Sequence, residues 1–213
     1  MKKHSIFNGF YLLVACLCAF VGCYHGGTPY SEPSLEVKQA IQDSEPLSLS
    51  VSELLGMTEE LANSLQVQLG NPDSPVARSL KKHDGKGRPG IVCQTFSNRA
   101  RQRYLRKLNE ARARFEMTLQ QSFAVRTDVG ARAIVNRIRI SANGALEKDS
   151  LLDILKTQQP PAYLVTGRLQ EHVESAYKSV FIFTLSLYDI HTGELVWTSM
   201  AIKDKNKQLP NLR

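Results

Sequence analysis

The alternation of apolar and polar positions is clearest toward the end of the chain, where three strands follow one another. In the run Ala162 to Leu169, Tyr163, Val165 and Leu169 fall on one face and Thr166, Arg168 and Gln170 on the other, the period of a half-buried strand. From Val180 to Tyr188, Phe181, Phe183, Leu185 and Leu187 share one face, and Val180, Ile182, Thr184, Ser186 and Tyr188 the other. Asp189-Ile190-His191-Thr192-Gly193 then closes a hairpin, with Gly193 able to take the positive φ that the end of such a loop needs. Leu195, Val196 and Trp197 begin the returning strand, and Trp197 is expected to be buried against the sheet.

Upstream the period changes. Leu54, Leu55, Leu61, Leu65 and Val67 repeat at helical spacing between Val51 and Leu69, with Ser50 or Ser52 as cap and Gly70-Asn71-Pro72 as stop. Asp73 to Gly90, rich in Gly, Pro and basic side chains, reads as an exposed loop, and Ile91 to Phe96 as a strand. Ser97-Asn98 predicts a cap for a long helix to about Gln121, whose apolar stripe is Tyr104, Leu108, Ala111, Phe115 and Leu119. Phe123 to Val125 reads as a short strand. Asp128 caps a helix with Ala131, Ile134, Val135 and Ile138 inward, although Arg137-Ile138-Arg139-Ile140 also alternates like a strand; Asp149 to Gln158 gives a third short helix. Together these elements predict an α/β domain, a mixed sheet of four or five strands flanked by helices and ending in a C-terminal β-hairpin.

The first residues have a different character. Met1-Lys2-Lys3 is a short basic region, and Phe10 to Gly22 is an almost unbroken apolar run, too short for a bilayer that needs about 20 residues. The run ends Phe20-Val21-Gly22-Cys23, which looks like a lipoprotein box, so residues 1–22 are expected to be a signal peptide and Cys23 the acylated mature N-terminus. Leu13-Val14-Ala15-Cys16 is an alternative box; cleavage there would leave Leu17 to Val21 as an apolar start. Residues 23–50 form the lipidated cysteine and a tether rich in Gly, Pro, Ser and Glu, which cannot bury enough surface to order itself. Fully extended, that tether reaches about 90 Å. The globular part is expected over residues 51–208.

Charge is segregated. The formal net charge is +7, but residues 78–140 hold sixteen Lys and Arg against four Asp and Glu, whereas residues 24–77 hold one against eight. On the long predicted helix, Arg99, Arg103, Arg106 and Arg114 lie opposite the apolar stripe, with Glu110 among them and Lys107 at the edge. This basic ridge suits an acidic partner; the plainer alternative is a solvated helix face. An exported lipoprotein does not meet nucleic acid, and the ridge lacks the interleaved aromatic platforms of single-strand binders.

No catalytic residues, metal ligands or cofactor site stand out. The five histidines, His4, His25, His83, His172 and His191, show no metal-ligand spacing, and no serine or cysteine sits in a nucleophile motif. His172 and His191 read as strand and turn surface residues, and Glu171 and Glu174 as solvated carboxylates beside a loop. His83-Asp84-Gly85-Lys86-Gly87 precedes a strand, the wrong order for a phosphate loop. Of the four cysteines only Cys93 falls in the folded part, where it is expected to be a small core residue.

Asp189-x-x-Thr192-Gly193-Glu194-x-x-Trp197, followed by a lysine-bearing strand end, resembles the C-terminal hairpin of LpoB-type lipoproteins, in the wider CsgG-like and TolB N-terminal-like group. Ala162-Tyr163-x-x-x-x-Gly167 and the strand near Ile91 followed by a long helix extend the likeness over roughly residues 50–205. The resemblance implies a non-enzymatic, outer-membrane lipoprotein facing the periplasm that binds and activates a peptidoglycan synthase, a bifunctional penicillin-binding protein. Tyr24 rather than aspartate after Cys23 agrees with export to the outer membrane. The alternative within the same group is a CsgG-like secretion or structural envelope lipoprotein that oligomerises. Against a pore stands the absence of spare amphipathic strand pairs, since every alternating run is used in the compact sheet.

Overall fold

The computed structural model describes residues 47–83, 87–141, 144–156 and 160–207. The expected signal peptide, Cys23, Cys16 and the tether up to residue 46 lie outside the described residues, as do positions 84–86 of the glycine-rich loop. Helix α1 (Val51–Gly70) is followed by α2 (Pro75–His83), strands β1 (Gly90–Cys93) and β2 (Ser97–Arg99), and helix α3 (Leu105–Leu119). Next come β3 (Ala124–Arg126), α4 (Val129–Val135), α5 (Lys148–Leu155), β4 (Tyr163–Ser175), β5 (Lys178–Asp189) and β6 (Leu195–Asn206). The sheet is open and mixed, in the order β3-β1-β4-β5-β6, with β1 parallel to both β3 and β4 and the last three strands an antiparallel meander. No helix among the described residues is long and apolar enough to cross a membrane.

β2 runs along the same flank of β4 as β1. Cys93 pairs with Val165 and Ser97 with Arg168, so Gln94, Thr95 and Phe96 face only Thr166 and Gly167, and the ladder bulges by one residue. The bulge turns Phe96 onto Gly167 so closely that a Cβ there would come within 2.6 Å of Phe96 Cγ. Glycine at 167 is thus dictated by its neighbour.

The two faces of the sheet are covered unequally. On one, α1 and α3 bury Leu54, Leu61, Leu65, Leu108, Phe115 and Leu119 against Ile91, Tyr163, Val165, Phe181, Phe183, Leu185, Leu187 and Trp197. On the other, the segment from α4 to α5 covers only one end, placing Val135, Ile138, Leu146, Leu151 and Ile154 over Val92, Leu164, Tyr188 and Ile190. The rest of that face stays open; Thr184 and Ser186 on β5 are half-buried, and Met200 and Ile202 on β6 are exposed. α1 begins with a capping box in which Ser50 Oγ accepts from the Glu53 N–H and Glu53 accepts from the Ser50 N–H. Lys205 Nζ at the end of β6 donates to the same carboxylate at 2.9 Å. The Ser50 N–H above all, against some burial and with help from Lys205, holds the Glu53 carboxyl down to about 2.

Several expectations are corrected. The loop predicted for Asp73 to Gly90 contains α2, because Ser74 Oγ caps the Ala77 N–H at 3.0 Å, Pro75 opens the helix, and Val76, Ala77 and Ser79 are buried beneath the charges that disguised them. Ser97 and Asn98 do not cap the long helix: they belong to β2, and Asn98 makes a local turn by accepting from Ala100 N–H and donating to the Gln102 carbonyl. Tyr104 still lies in the core, at the N-cap of α3, its hydroxyl accepting from Leu49 N–H at 3.0 Å. Arg137 to Ile140 is neither helix nor strand, since α4 stops at Val135 and Ile140 makes one isolated bridge to Leu146. Glu171 lies within β4, not beside a loop, and its side chain is 1% exposed; it accepts from Arg101 N–H and Ser179 Oγ.

Cys93 is buried as expected, and burial, reinforced by Glu116, pushes its thiol up and makes it unreactive. Glu116 is itself buried on α3, with Arg132 of α4 reaching both its oxygens at 3.0 and 3.1 Å and Arg112 at 3.8 Å.

Candidate functional site

The arginines that sequence periodicity lined up on one helix are divided by the start of α3 at Leu105. Arg99 stands on β2, Arg103 precedes the helix, and both are exposed. Arg106 and Arg114 do lie on α3, each with a carboxylate of its own: Arg106 Nε is 3.2 Å from Glu110, and Arg114 reaches Glu59 of α1 at 2.9 Å. Lys107 turns inward, donating to the Leu49 carbonyl with its ammonium 5.1 Å from the Tyr104 ring centre. The four therefore do not lie along one helix, and the two that are helical are already paired.

What the fold does assemble is a groove of about 590 Å³ on the open face of the sheet, between the β2–β4–β5 surface and the segment around Arg139. Arg99, Arg139 and Arg168 line it, with Thr166, Gln170 and Ser186 among the polar groups on its floor and Glu147 the acidic one. The strands explain this collection. Arg99 pairs with Gln170 and Ser97 with Arg168 in the β2–β4 ladder, and Arg168 pairs with Thr184 across β4–β5, so one face of the pleat presents guanidinium and hydroxyl groups together. Tyr188 also lines it, and burial pushes its hydroxyl up. Three guanidinium groups among hydroxyl and amide donors make a surface suited to carboxylates or other anions. Only Arg99 of this groove was among the arginines singled out from sequence. Arg168 was visible on the polar face of its strand, but its meeting with Arg99 depends on a pairing between positions far apart in the chain.

The same fold brings together groups that chain spacing keeps apart. His83 at the end of α2 and His191 in the β5–β6 turn approach each other beside Asp189, with ring centres 5.0 Å apart. The turn is as anticipated in Gly193, which has φ +74°, and in Trp197, which is 7% exposed. Asp189 opens it by accepting from the His191 and Thr192 N–H groups.

A family model described as "Peptidoglycan-synthase activator LpoB" matches residues 58–201. Among solved structures, the chain is similar to the LpoB C-terminal domain from Salmonella enterica, with 12% identity, covering 73% of this chain and 99% of that one at a TM-score of 0.42. It is also similar to the LpoB C-terminal domain from Escherichia coli, with 13% identity over 61% of this chain and 95% of that one and a TM-score of 0.39. A third similar structure is lipoprotein GNA1162 from Neisseria meningitidis, with 12% identity over 58% and 86% and a TM-score of 0.36. No curated protein matches.

Proposed function

The chain belongs to the LpoB family of peptidoglycan-synthase activators, and on that basis we propose that it binds a bifunctional penicillin-binding protein and raises that enzyme's activity without performing catalysis itself. The observation that carries this reading is the family match across residues 58–201. Activation of this kind is a shift of the synthase toward its active conformation by a ligand that binds that state more tightly.

In the proposal residues 1–22 are removed, Cys23 carries the lipid that holds the protein on the periplasmic side of the outer membrane, and the tether that follows ends before residue 50, since Leu49 is buried against Tyr104 and Ser50 caps α1; the domain expected over residues 51–208 presents the docking surface. In-cell crosslinking of the acylated protein should retrieve a bifunctional synthase, and the purified protein should speed glycan polymerisation by that synthase. A crosslinked set without such an enzyme, or a rate that does not respond, would sink the reading. Cys23→Ser should leave the membrane fraction or stall at the precursor mass, because one weak hydrophobic signal without the acyl chains does not anchor stably. Loss of anchoring in Cys16→Ser instead would assign the lipid to Cys16.

Arg99, Arg103, Arg106 and Arg114 are the proposed partner-facing cations, of which Arg99 and Arg103 should matter most, since Arg106 and Arg114 already have the carboxylates of Glu110 and Glu59 beside them. Charges of this type steer association and govern its salt dependence. Arg99→Glu with Arg103→Glu is expected to slow association with the synthase by about tenfold at low salt. The loss should shrink toward 0.5 M salt, where screening reaches about 4 Å. Exposed charges contribute little to stability, so the melting temperature should be unchanged. Parental association rates at low salt would make these arginines a merely solvated surface.

A further inference from the structure

We propose that His83, Asp189 and His191 form a binding site for a divalent transition-metal ion, zinc in the first instance, which ties the end of α2 to the β5–β6 turn. His83 Nε2 lies 3.2 Å from Asp189 Oδ2, and His191 Nδ1 lies 3.9 Å from Oδ1. One ligand atom from each of the three residues falls within 4.8 Å of the others. Around a tetrahedral zinc with bonds near 2.0–2.1 Å, ligand atoms stand about 3.4 Å apart. The separation of His83 from Oδ2 is thus already close to that value, whereas His191 is nearer the other oxygen, so the adjustment needed to share one carboxylate oxygen falls on His191, whose side chain is 46% exposed.

The chemistry of the set points the same way. Two imidazole nitrogens and one carboxylate oxygen are the protein ligands of an open zinc site, with water in the fourth position, and imidazole donors select zinc and its neighbours over magnesium or calcium. The carboxylate is held as metal-bound carboxylates are held. Ser79 Oγ donates to Oδ2 at 2.7 Å, Tyr163 shares a hydrogen bond with Ser79 at 2.9 Å, and the His191 and Thr192 N–H groups fix Oδ1.

Asp189 is satisfied by Ser79, His83 and two amides, while the His191 ring is beyond hydrogen-bond distance of the carboxylate and yet lies against the His83 ring at 47°. The neighbouring cations, Arg78 and Lys82 along the adjoining recess, would weaken a hard, purely electrostatic cation site more than one built on imidazole coordination.

The test uses full-length protein in detergent and Co²⁺ as a visible probe. The expected result is one Co²⁺ per chain with the intense absorption of tetrahedral coordination, displacement by Zn²⁺, and a melting temperature that rises with Zn²⁺ and returns with a chelator. His191→Ala, at an exposed position, should fold as the parent and bind at least tenfold more weakly; His83→Ala should do the same, and His172→Ala should bind like the parent. Absence of the tetrahedral spectrum in the parent overturns the proposal, as does equal binding by parent, His83→Ala and His191→Ala, which would place the metal on other histidines.

Discussion

Trp197→Ala is expected to lower the stability of the folded domain by about 3 to 5 kcal/mol, the cost of removing the largest side chain from a packed site that relaxes only in part. The side chain is 7% exposed and belongs to the cluster beneath α1 and α3; it pairs with Leu187 across the β5–β6 ladder, one residue beyond a register shift that follows the turn. Truncation therefore opens a cavity at the root of the hairpin. Urea unfolding followed by circular dichroism would measure the loss, with a lower midpoint at unchanged slope marking a change in stability alone. A variant that unfolds like the parent but no longer activates the synthase would make Trp197 an interface residue instead.

Trp197 also shows what sequence made legible and why. Where a strand is buried on one face and open on the other, period 2 writes itself into the residues, and Phe181, Phe183, Leu185 and Leu187 lie in the core as their alternation predicts. The same holds for Leu108, Ala111, Phe115 and Leu119 on α3. Boundaries set by local hydrogen bonds were harder to read. Ser97-Asn98 carries the residue types of a cap, but a ladder with Arg168 and Leu169 claims them for β2, and tertiary pairing overrides local preference. That single displacement moved Arg99 from a helix face into the sheet groove and Arg103 into the approach to α3. α2 was missed because its apolar side is Val76 and Ala77 with Leu80 partly covered, too narrow a stripe to stand out among Arg78, Lys81 and Lys82.

The groups that matter for sites were the least legible. His83 and Asp189 stand 106 positions apart, and no spacing rule connects them. Arg99 and Arg168 likewise share the groove only because β2 and β4 run side by side. Long-range pairing is set by the whole sheet, whereas motif reading sees one segment at a time.

Glu116 belongs to the same class, and its replacement carries the other large expected effect. In sequence, Arg112 and Glu116 form an i, i+4 pair of the kind that decorates solvated helices and contributes a few tenths of a kcal/mol. In the fold Arg132 reaches the same carboxylate from α4 and adds a second guanidinium, leaving the carboxylate 8% exposed between side chains that are 16% and 29% exposed. Two partly buried cations depend on one anion, and Arg112 Nε and Arg132 Nε have no hydrogen-bond partner even with it in place. Glu116→Ala should therefore cost about 3 to 5 kcal/mol, most of it the penalty of leaving buried charge uncompensated rather than the worth of the lost pair. That distinction is measurable. The triple replacement Glu116→Leu, Arg112→Met and Arg132→Met removes all three charges, and it should recover most of the stability lost by the single change or exceed the parent by about 1 to 4 kcal/mol. If Glu116→Ala costs less than about 1 kcal/mol in urea unfolding, the three groups are hydrated and behave as a surface pair. If the triple variant is as unstable as the single one, the loss lies in packing beside Cys93 and Phe115 and not in uncompensated charge.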